Sequence, residues 1–326
     1  MTTETAAHPE SQSTSDLAAP LYVAWQITNE CNLACLHCIE ESGPGKAFKD
    51  ELTTEQAYGI IDQLVKSEVP YVSFSGGEPM VRSDFFGMVE RITTGGVGLK
   101  IETNGHFLTR ENCRRLKDFG VKAVQVSLDG ATPASFNKMR VHGRLESALD
   151  GVNNLREARI PIEINFVPAK FNIQEIGAAV DLAHEIGAYS FYTGKLMFTG
   201  NAVRTWAITA PDESDYPQFF DTLRLKTEQY KGRMRVYFHE MGLLEELRYR
   251  LENPAALFII LPNGKVKLIN ALPFTCGDLR TDTLGQVWAQ FQNAWKSPRV
   301  AAFIDRLAED PGIVSRLHQW EEVGGR

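Results

Sequence analysis

No apolar run in the chain is longer than Ala255 to Leu261, far short of the ~20 residues that a membrane-spanning helix needs. The opening stretch, Met1 to about Ala19, has neither a basic n-region nor an apolar h-region and is rich in Ser, Thr, Ala and Glu. It reads as a disordered tail rather than a secretion signal. Basic excess is missing too: 34 Lys and Arg stand against 41 Asp and Glu, a formal net charge of -7. An electrostatic hold on nucleic-acid phosphates or anionic lipid is therefore not expected, and small or weakly charged substrates fit better. Cysteine is scarce and odd in number, five in 326 residues. Three of them fall between positions 31 and 38, which is no secreted disulfide framework; in a reducing compartment such a cluster is more often a metal site. These absences together describe a cytoplasmic protein.

What is present suffices for one large core. With 43% hydrophobic residues in 326, the chain can bury a barrel-sized domain and a small appendage. Between residues 20 and 193, short β-rich runs alternate with amphipathic helical stretches. Strands are expected at Leu21 to Thr28, Tyr71 to Ser75, Gly98 to Thr103, Ala123 to Leu128, Ile162 to Val167 and Tyr189 to Tyr192, each bounded by Gly, Pro or Asp. Thr53 and Gln56 form a capping box ahead of the apolar stripe Ala57, Ile60, Ile61, Leu64 and Val65. A second stripe runs through Leu145, Ala148, Leu149, Val152 and Leu155. Six strand–helix units with right-handed crossovers predict an α/β fold, a partial (β/α)6 TIM-like barrel, whose chemistry sits at the C-terminal strand ends.

After Thr193 the pattern changes. Helices are expected around Tyr216 to Tyr230 and Met241 to Leu251, then a hairpin in which Asn263-Gly264 joins Phe258 to Leu261 with Lys265 to Ile269. This divides the chain into a tail (1–19), a barrel (20–200) and a small α+β appendage over the barrel mouth (201–326).

The segment Cys31-Asn-Leu-Ala-Cys35-Leu-His-Cys38 directly follows the first expected strand. Three thiolates at this spacing can hold three corners of a cubane and leave the fourth iron open, whereas closed clusters and structural zinc usually take four ligands. The alternatives are a Cys3His zinc site that uses His37, or three buried thiols. Here the sequence resembles the radical S-adenosylmethionine (SAM) superfamily, whose CxxxCxxC loop this is. His37 occupies the position that family fills with an aromatic residue or His near adenine. The resemblance implies one 4Fe-4S cluster on Cys31, Cys35 and Cys38, chelation of its open iron by the SAM amine and carboxylate, and reductive cleavage to methionine and a 5'-deoxyadenosyl radical that takes hydrogen from substrate. It also implies an electron donor of flavodoxin or ferredoxin type.

Further resemblances fall at the strand ends. Ser75-Gly76-Gly77-Glu78-Pro79 is similar to the family's GGE motif, in which Gly76, Gly77 and Glu78 receive the methionyl ammonium; alone it would be an ordinary turn. Thr103-Asn104-Gly105 and Ser127-Leu128-Asp129-Gly130 resemble the patterns in which Asn104, Ser127 and Asp129 reach the ribose and methionine, although Asn104 and Asp129 are also good turn formers. Arg140 resembles an arginine that reaches the SAM carboxylate; the plain alternative is a solvated helix arginine.

The second half carries Leu261-Pro-Asn-Gly-Lys-Val, Pro273-Phe-Thr-Cys-Gly-Asp-Leu and Leu284-Gly-Gln-Val-Trp288, which resemble a SPASM or twitch extension. Such extensions usually carry auxiliary clusters of three or four cysteines each. This chain departs from that pattern, because outside the loop it has only Cys113, on a helix stripe with Leu116 and Phe119, and Cys276. The appendage is identified as a degenerate twitch domain without metal. With no auxiliary electron acceptor, redox-neutral outcomes gain weight: epimerisation, decarboxylation, dehydration or rearrangement. Cys276, expected in a turn facing the barrel mouth, is a candidate hydrogen-atom donor; otherwise it is a lone core cysteine. Glu163, Asn165, Tyr192, Lys195, His239 and Glu240 are candidates to line the mouth. The first functional reading is thus a biosynthetic radical SAM enzyme acting on a small metabolite or natural-product intermediate, the second a peptide-modifying maturase. A non-catalytic iron–sulfur scaffold or carrier is the reading of another class; SAM-binding strand ends argue against it.

Overall fold

The computed structural model describes residues 17–324; the expected tail lies, up to residue 16, outside the described residues. The strands are β1 (Tyr22–Thr28), β2 (Tyr71–Gly76), β3 (Gly98–Thr103), β4 (Ala123–Ser127), β5 (Ile162–Asn165), β6 (Ser190–Gly194), β7 (Arg235–His239), β8 (Leu257–Ile260), β9 (Lys265–Lys267), β10 (Phe274–Asp278) and β11 (Glu321–Glu322). They form one sheet in the order β11-β10-β9-β8-β1-β2-β3-β4-β5-β6-β7. From β1 to β7 every neighbour is parallel, with one or two helices in each crossover. The first six strands are the expected partial-barrel units. On the other flank β8 adds parallel to β1, and β9 and β10 continue antiparallel.

Period-2 alternation decides which strand face meets which surroundings. Val23, Trp25 and Ile27 on β1, Val72 and Phe74 on β2, Leu99 and Ile101 on β3, Val124 and Val126 on β4, and Ile162 and Ile164 on β5 are all buried. They pack against stripes such as Ala57, Ile60, Ile61 and Leu64 of helix Thr54–Lys66, whose N-terminus carries the Thr53–Gln56 capping box. Apart from Ala24, the intervening positions are polar: Gln26, Ser73, Ser75, Lys100, Glu102, Gln125, Ser127, Glu163 and Asn165. A barrel filled as a packed core would carry branched apolar residues there. A lumen lined this way suits a ligand.

Several elements were not read from the sequence, β7 and helix Asn201–Thr209 among them. Strand β7 has only Val236 buried among Arg235, Tyr237, Phe238 and His239, so it lacks the apolar run that marks a buried parallel strand. Helix Asn201–Thr209 buries only Ala202 and Thr209. No helix among the described residues is long and apolar enough to cross a membrane.

Candidate active site

The loop between β1 and helix Thr54–Lys66 carries the three cysteines, and it is pinned at both ends. Glu51 accepts from Asn29 N at 2.7 Å, Thr28 Oγ1 at 2.9 Å and Phe48 N at 3.0 Å. Glu30 accepts from Gly45 N and Ala47 N. Beyond these, Ala34 N and Leu36 N donate to Val141 O and Met139 O. The N-terminus of helix Asn201–Thr209 closes the far side: Asn201 N and Nδ2 donate to Cys38 O at 2.8 Å and Cys35 O at 3.0 Å, and Thr205 Oγ1 to Leu36 O at 2.8 Å. That helix satisfies carbonyls left free by a loop with little regular structure.

The Gly76-Gly77 pair serves the same loop. Gly77 N donates to Thr28 O at 2.8 Å and Glu78 N to Glu30 O at 2.9 Å. A Cβ on Gly76, whose φ is +125°, would lie 2.2 Å from Thr28 O, and one on Gly77 would lie 2.0 Å from Glu30 O. Only glycine lets the end of β2 approach the cysteine loop this closely.

Cys31, Cys35, His37 and Cys38 line a cavity of about 440 Å³ with Gly76, Gly77, Asn104, Ser127 and Arg140; Asn165, Tyr192, Lys195 and His239 line it as well. The strand-end motifs and the cysteine loop thus meet in one place. Sequence reasoning missed Glu102 and Thr193, which also line it. Their signal was the inner-face alternation and the position at a strand end.

Four expectations need correction or sharpening. Glu78 is fully buried and does not line the cavity. Its carboxylate lies 2.9 and 2.8 Å from Thr103 Oγ1 and accepts from Asn104 N at 2.9 Å and Met80 N at 3.3 Å, so it ties β2 to β3 instead of facing a ligand. Asp129 is likewise fully buried and absent from the lining. Its Oδ1 accepts from Val167 N at 2.9 Å, while Oδ2 faces Arg140 Nη2 at 2.7 Å and His37 Nε2 at 3.2 Å. Arg140 is no solvated helix residue: it is 6% exposed, with Nη1 3.7 Å from Cys35 Sγ. Cys276 does not face the mouth. It is 1% exposed on β10, its Sγ is directed at Val266 O, and it belongs to the apolar core; the turn expected there is a strand covered on both sides. Cys113 is buried as its helix stripe implied.

Among the mouth candidates, Asn165, Tyr192, Lys195 and His239 line the cavity. Glu163 sits deeper, taken by Lys100, Gln125 and Tyr189, and Glu240 is paired with Arg224.

The electrostatics of the loop suit thiolate ligands that receive their charge partner on assembly. Burial pushes the Cys31 thiol up to about 11 and Cys35 up to about 12, Arg140 being the main opposing influence on Cys35, and burial raises Cys38 as well. Such thiols lose their protons to a bound metal. Donors already point at the sulfurs: Leu33 N and Asn104 Nδ2 at Cys31 (3.4 and 3.9 Å), and Arg140 at Cys35. Burial lowers His37 to about 4 in spite of Asp129, so it is a neutral imidazole whose Nδ1 is buried without a partner. Among the described residues no three His, Cys, Asp or Glu groups stand close enough to share one metal ion. A cubane takes its thiolates on separate irons, further apart than the ligands of one ion.

A radical SAM superfamily model matches residues 25–183. Mycofactocin maturase MftC of Mycobacterium tuberculosis (strain CDC 1551 / Oshkosh) is 36% identical over 214 residues, 65% of this chain and 54% of that protein. The chain thus spans about half the length of that curated relative. AdoMet-dependent heme synthase of Methanosarcina barkeri (strain Fusaro / DSM 804) is 28% identical over 291 residues, 83% of this chain and 82% of that one. In fold, the chain is similar to Streptococcus suis SuiB bound to S-adenosylmethionine, with a TM-score of 0.70 at 16% identity over 88% of this chain and 68% of that one. Native anSMEcpe with bound AdoMet gives 0.63 at 14% identity over 87% and 82%. The cysteine loop, the strand ends that meet it and these matches place the chain in the radical SAM superfamily.

Proposed function

We propose that this chain is an enzyme that binds one 4Fe-4S cluster through Cys31, Cys35 and Cys38, cleaves SAM reductively and removes hydrogen from a substrate held in the barrel lumen. The observation that carries this reading is the convergence of all three cysteines, Gly76-Gly77, Asn104, Ser127 and Arg140 on one cavity. Bound there, the cluster with its open iron supplies the electron that splits the SAM sulfonium. The chain's own residues bind and orient. Gly76 and Gly77 offer backbone at the end of β2, Ser127 a hydroxyl at the end of β4, and His37 Nδ1 an unused acceptor for a donor on the bound nucleoside. Asn165, Tyr192, Lys195 and His239 form the wall on the side of β5 to β7, where a substrate would lie.

A redox-neutral outcome is supported by the placement of the other two cysteines. Cys113 and Cys276 are both buried in the apolar core, and neither lines the cavity. A degenerate twitch region without an auxiliary cluster leaves a net oxidation with no further acceptor in this chain, so epimerisation, decarboxylation, dehydration or rearrangement fits. The reductant would be a flavodoxin- or ferredoxin-type protein. A second reading, a peptide-modifying maturase, is favoured by the 36% identity to a maturase. Incubation of reconstituted enzyme and SAM with deuterated candidate metabolites or peptides tests both: the true substrate passes deuterium into 5'-deoxyadenosine. A chain that loads a cluster yet makes no deoxyadenosine would instead be a scaffold or carrier.

A further inference from the structure

The three cysteines do not share one environment. Cys31 Sγ faces two neutral donors, Leu33 N and Asn104 Nδ2. Cys38 is met by backbone groups of Glu40 and Ser42 and by the Ser42 side chain. Cys35 alone faces a full positive charge, the Arg140 guanidinium at 3.7 Å. That arginine is 94% buried by its 6% exposure, so solvent screens it little. Its direction is fixed from behind. Asp129, with no exposed surface, pairs with Arg140 Nη2 at 2.7 Å and is itself anchored by Val167 N, which donates to Oδ1 at 2.9 Å; His37 Nε2 lies 3.2 Å from the other oxygen. The pair is a neutral unit with its positive end toward one ligand sulfur.

Hydrogen bonds and positive charge at a ligating thiolate stabilise the more negative, reduced cluster and raise its potential, and charge behind that donor modulates the effect. We propose that Arg140 and Asp129 are positioning residues that set the electron affinity of the cluster through Cys35, Arg140 raising the reduction potential and Asp129 aiming the guanidinium while holding that rise in check. This inference rests on the reading that Cys31, Cys35 and Cys38 carry the cluster. It assigns Arg140 an effect that exists before SAM binds.

The test is an EPR-monitored redox titration of the anaerobically reconstituted protein without SAM, with iron and sulfide counted in each sample. Arg140→Gln is expected to lower the reduced-to-oxidised ratio at a fixed potential about tenfold, which for a one-electron couple is about 59 mV. Asp129→Asn keeps the shape, removes the anion and is expected to shift the potential upward. Arg140→Lys, which keeps a charge but loses the planar fork, should fall between wild type and Arg140→Gln. Should Arg140→Gln fail to hold a cluster, the opposite-sign comparison of Arg140→Lys with Asp129→Asn still decides. Equal potentials at equal cluster content, or shifts of the same sign in the Arg140 and Asp129 variants, would overturn the proposal and leave a packing role. A wild-type protein that assembles no cluster would refute the cluster reading itself, a separate result.

Discussion

Removing the charge from Glu78 tests whether that carboxylate works inside the fold or toward a ligand. The side chain is fully buried, and its partners are the Thr103 hydroxyl, Asn104 N and Met80 N. Burial raises its pKa from an ordinary 4.5 to about 7, these hydrogen bonds opposing the rise. An acid whose pKa is higher in the folded than in the unfolded chain contributes stability fully below the unfolded value, and that contribution is lost as pH rises through the folded one. The gap between 4.5 and about 7 corresponds to about 3 kcal/mol lost between pH 4.5 and 7. Glu78→Gln keeps one acceptor oxygen and cannot titrate. Urea unfolding of the cluster-free protein at pH 5 and pH 8 should therefore show the stability of Glu78→Gln relative to wild type rising by about 2.5 kcal/mol between the two values, part of the loss having occurred below pH 5. Glu78→Ala, which strands three donors, should lose about 3 to 6 kcal/mol at pH 5. The acid-side loss from His37, lowered to about 4, is common to all and cancels. A wild-type-to-Gln difference that is the same at both pH values would refute the burial argument.

Gly77→Ala forces a Cβ toward Glu30 O; the variant should keep its far-UV circular dichroism but lose most of its iron after reconstitution. Asn201→Ala removes the side-chain bond to Cys35 O, at a cost of about 1 kcal/mol, and a chelator should strip iron from it faster than from wild type. Cys276→Ala, a core substitution, should lower stability by about 1 to 2 kcal/mol in denaturant titration while leaving iron content and deoxyadenosine yield at wild-type levels.

The parts of the site that could be read from the sequence are those written in consecutive residues. The cysteine loop and the Gly76-Gly77 turn are local signals, and the strands that end in them alternate clearly enough to be placed within one or two residues. Side-chain direction was harder. At the end of β2, Glu78 turns inward because Asn104 N and the Thr103 hydroxyl on β3 need an acceptor, a demand created 25 residues away in sequence. Cys276 was misplaced for a similar reason: its segment pairs antiparallel with β9 and is covered by helix Leu284–Ala294, which a Thr-Cys-Gly stretch does not announce. Strand β7 escaped notice because one buried residue in five gives no periodicity. Arg140 could be located but not interpreted, since its partners Asp129 and Cys35 come from two other loops.

The central claim, that this chain's cysteine loop supports reductive SAM cleavage, is tested most directly by quantifying 5'-deoxyadenosine after anaerobic reconstitution, addition of SAM and chemical reduction. The account predicts about four irons per chain held by Cys31, Cys35 and Cys38, deoxyadenosine from wild type, and neither cluster nor deoxyadenosine from Cys35→Ala. A fully loaded wild-type protein that leaves SAM intact, or a Cys35→Ala variant that still makes deoxyadenosine, would contradict it.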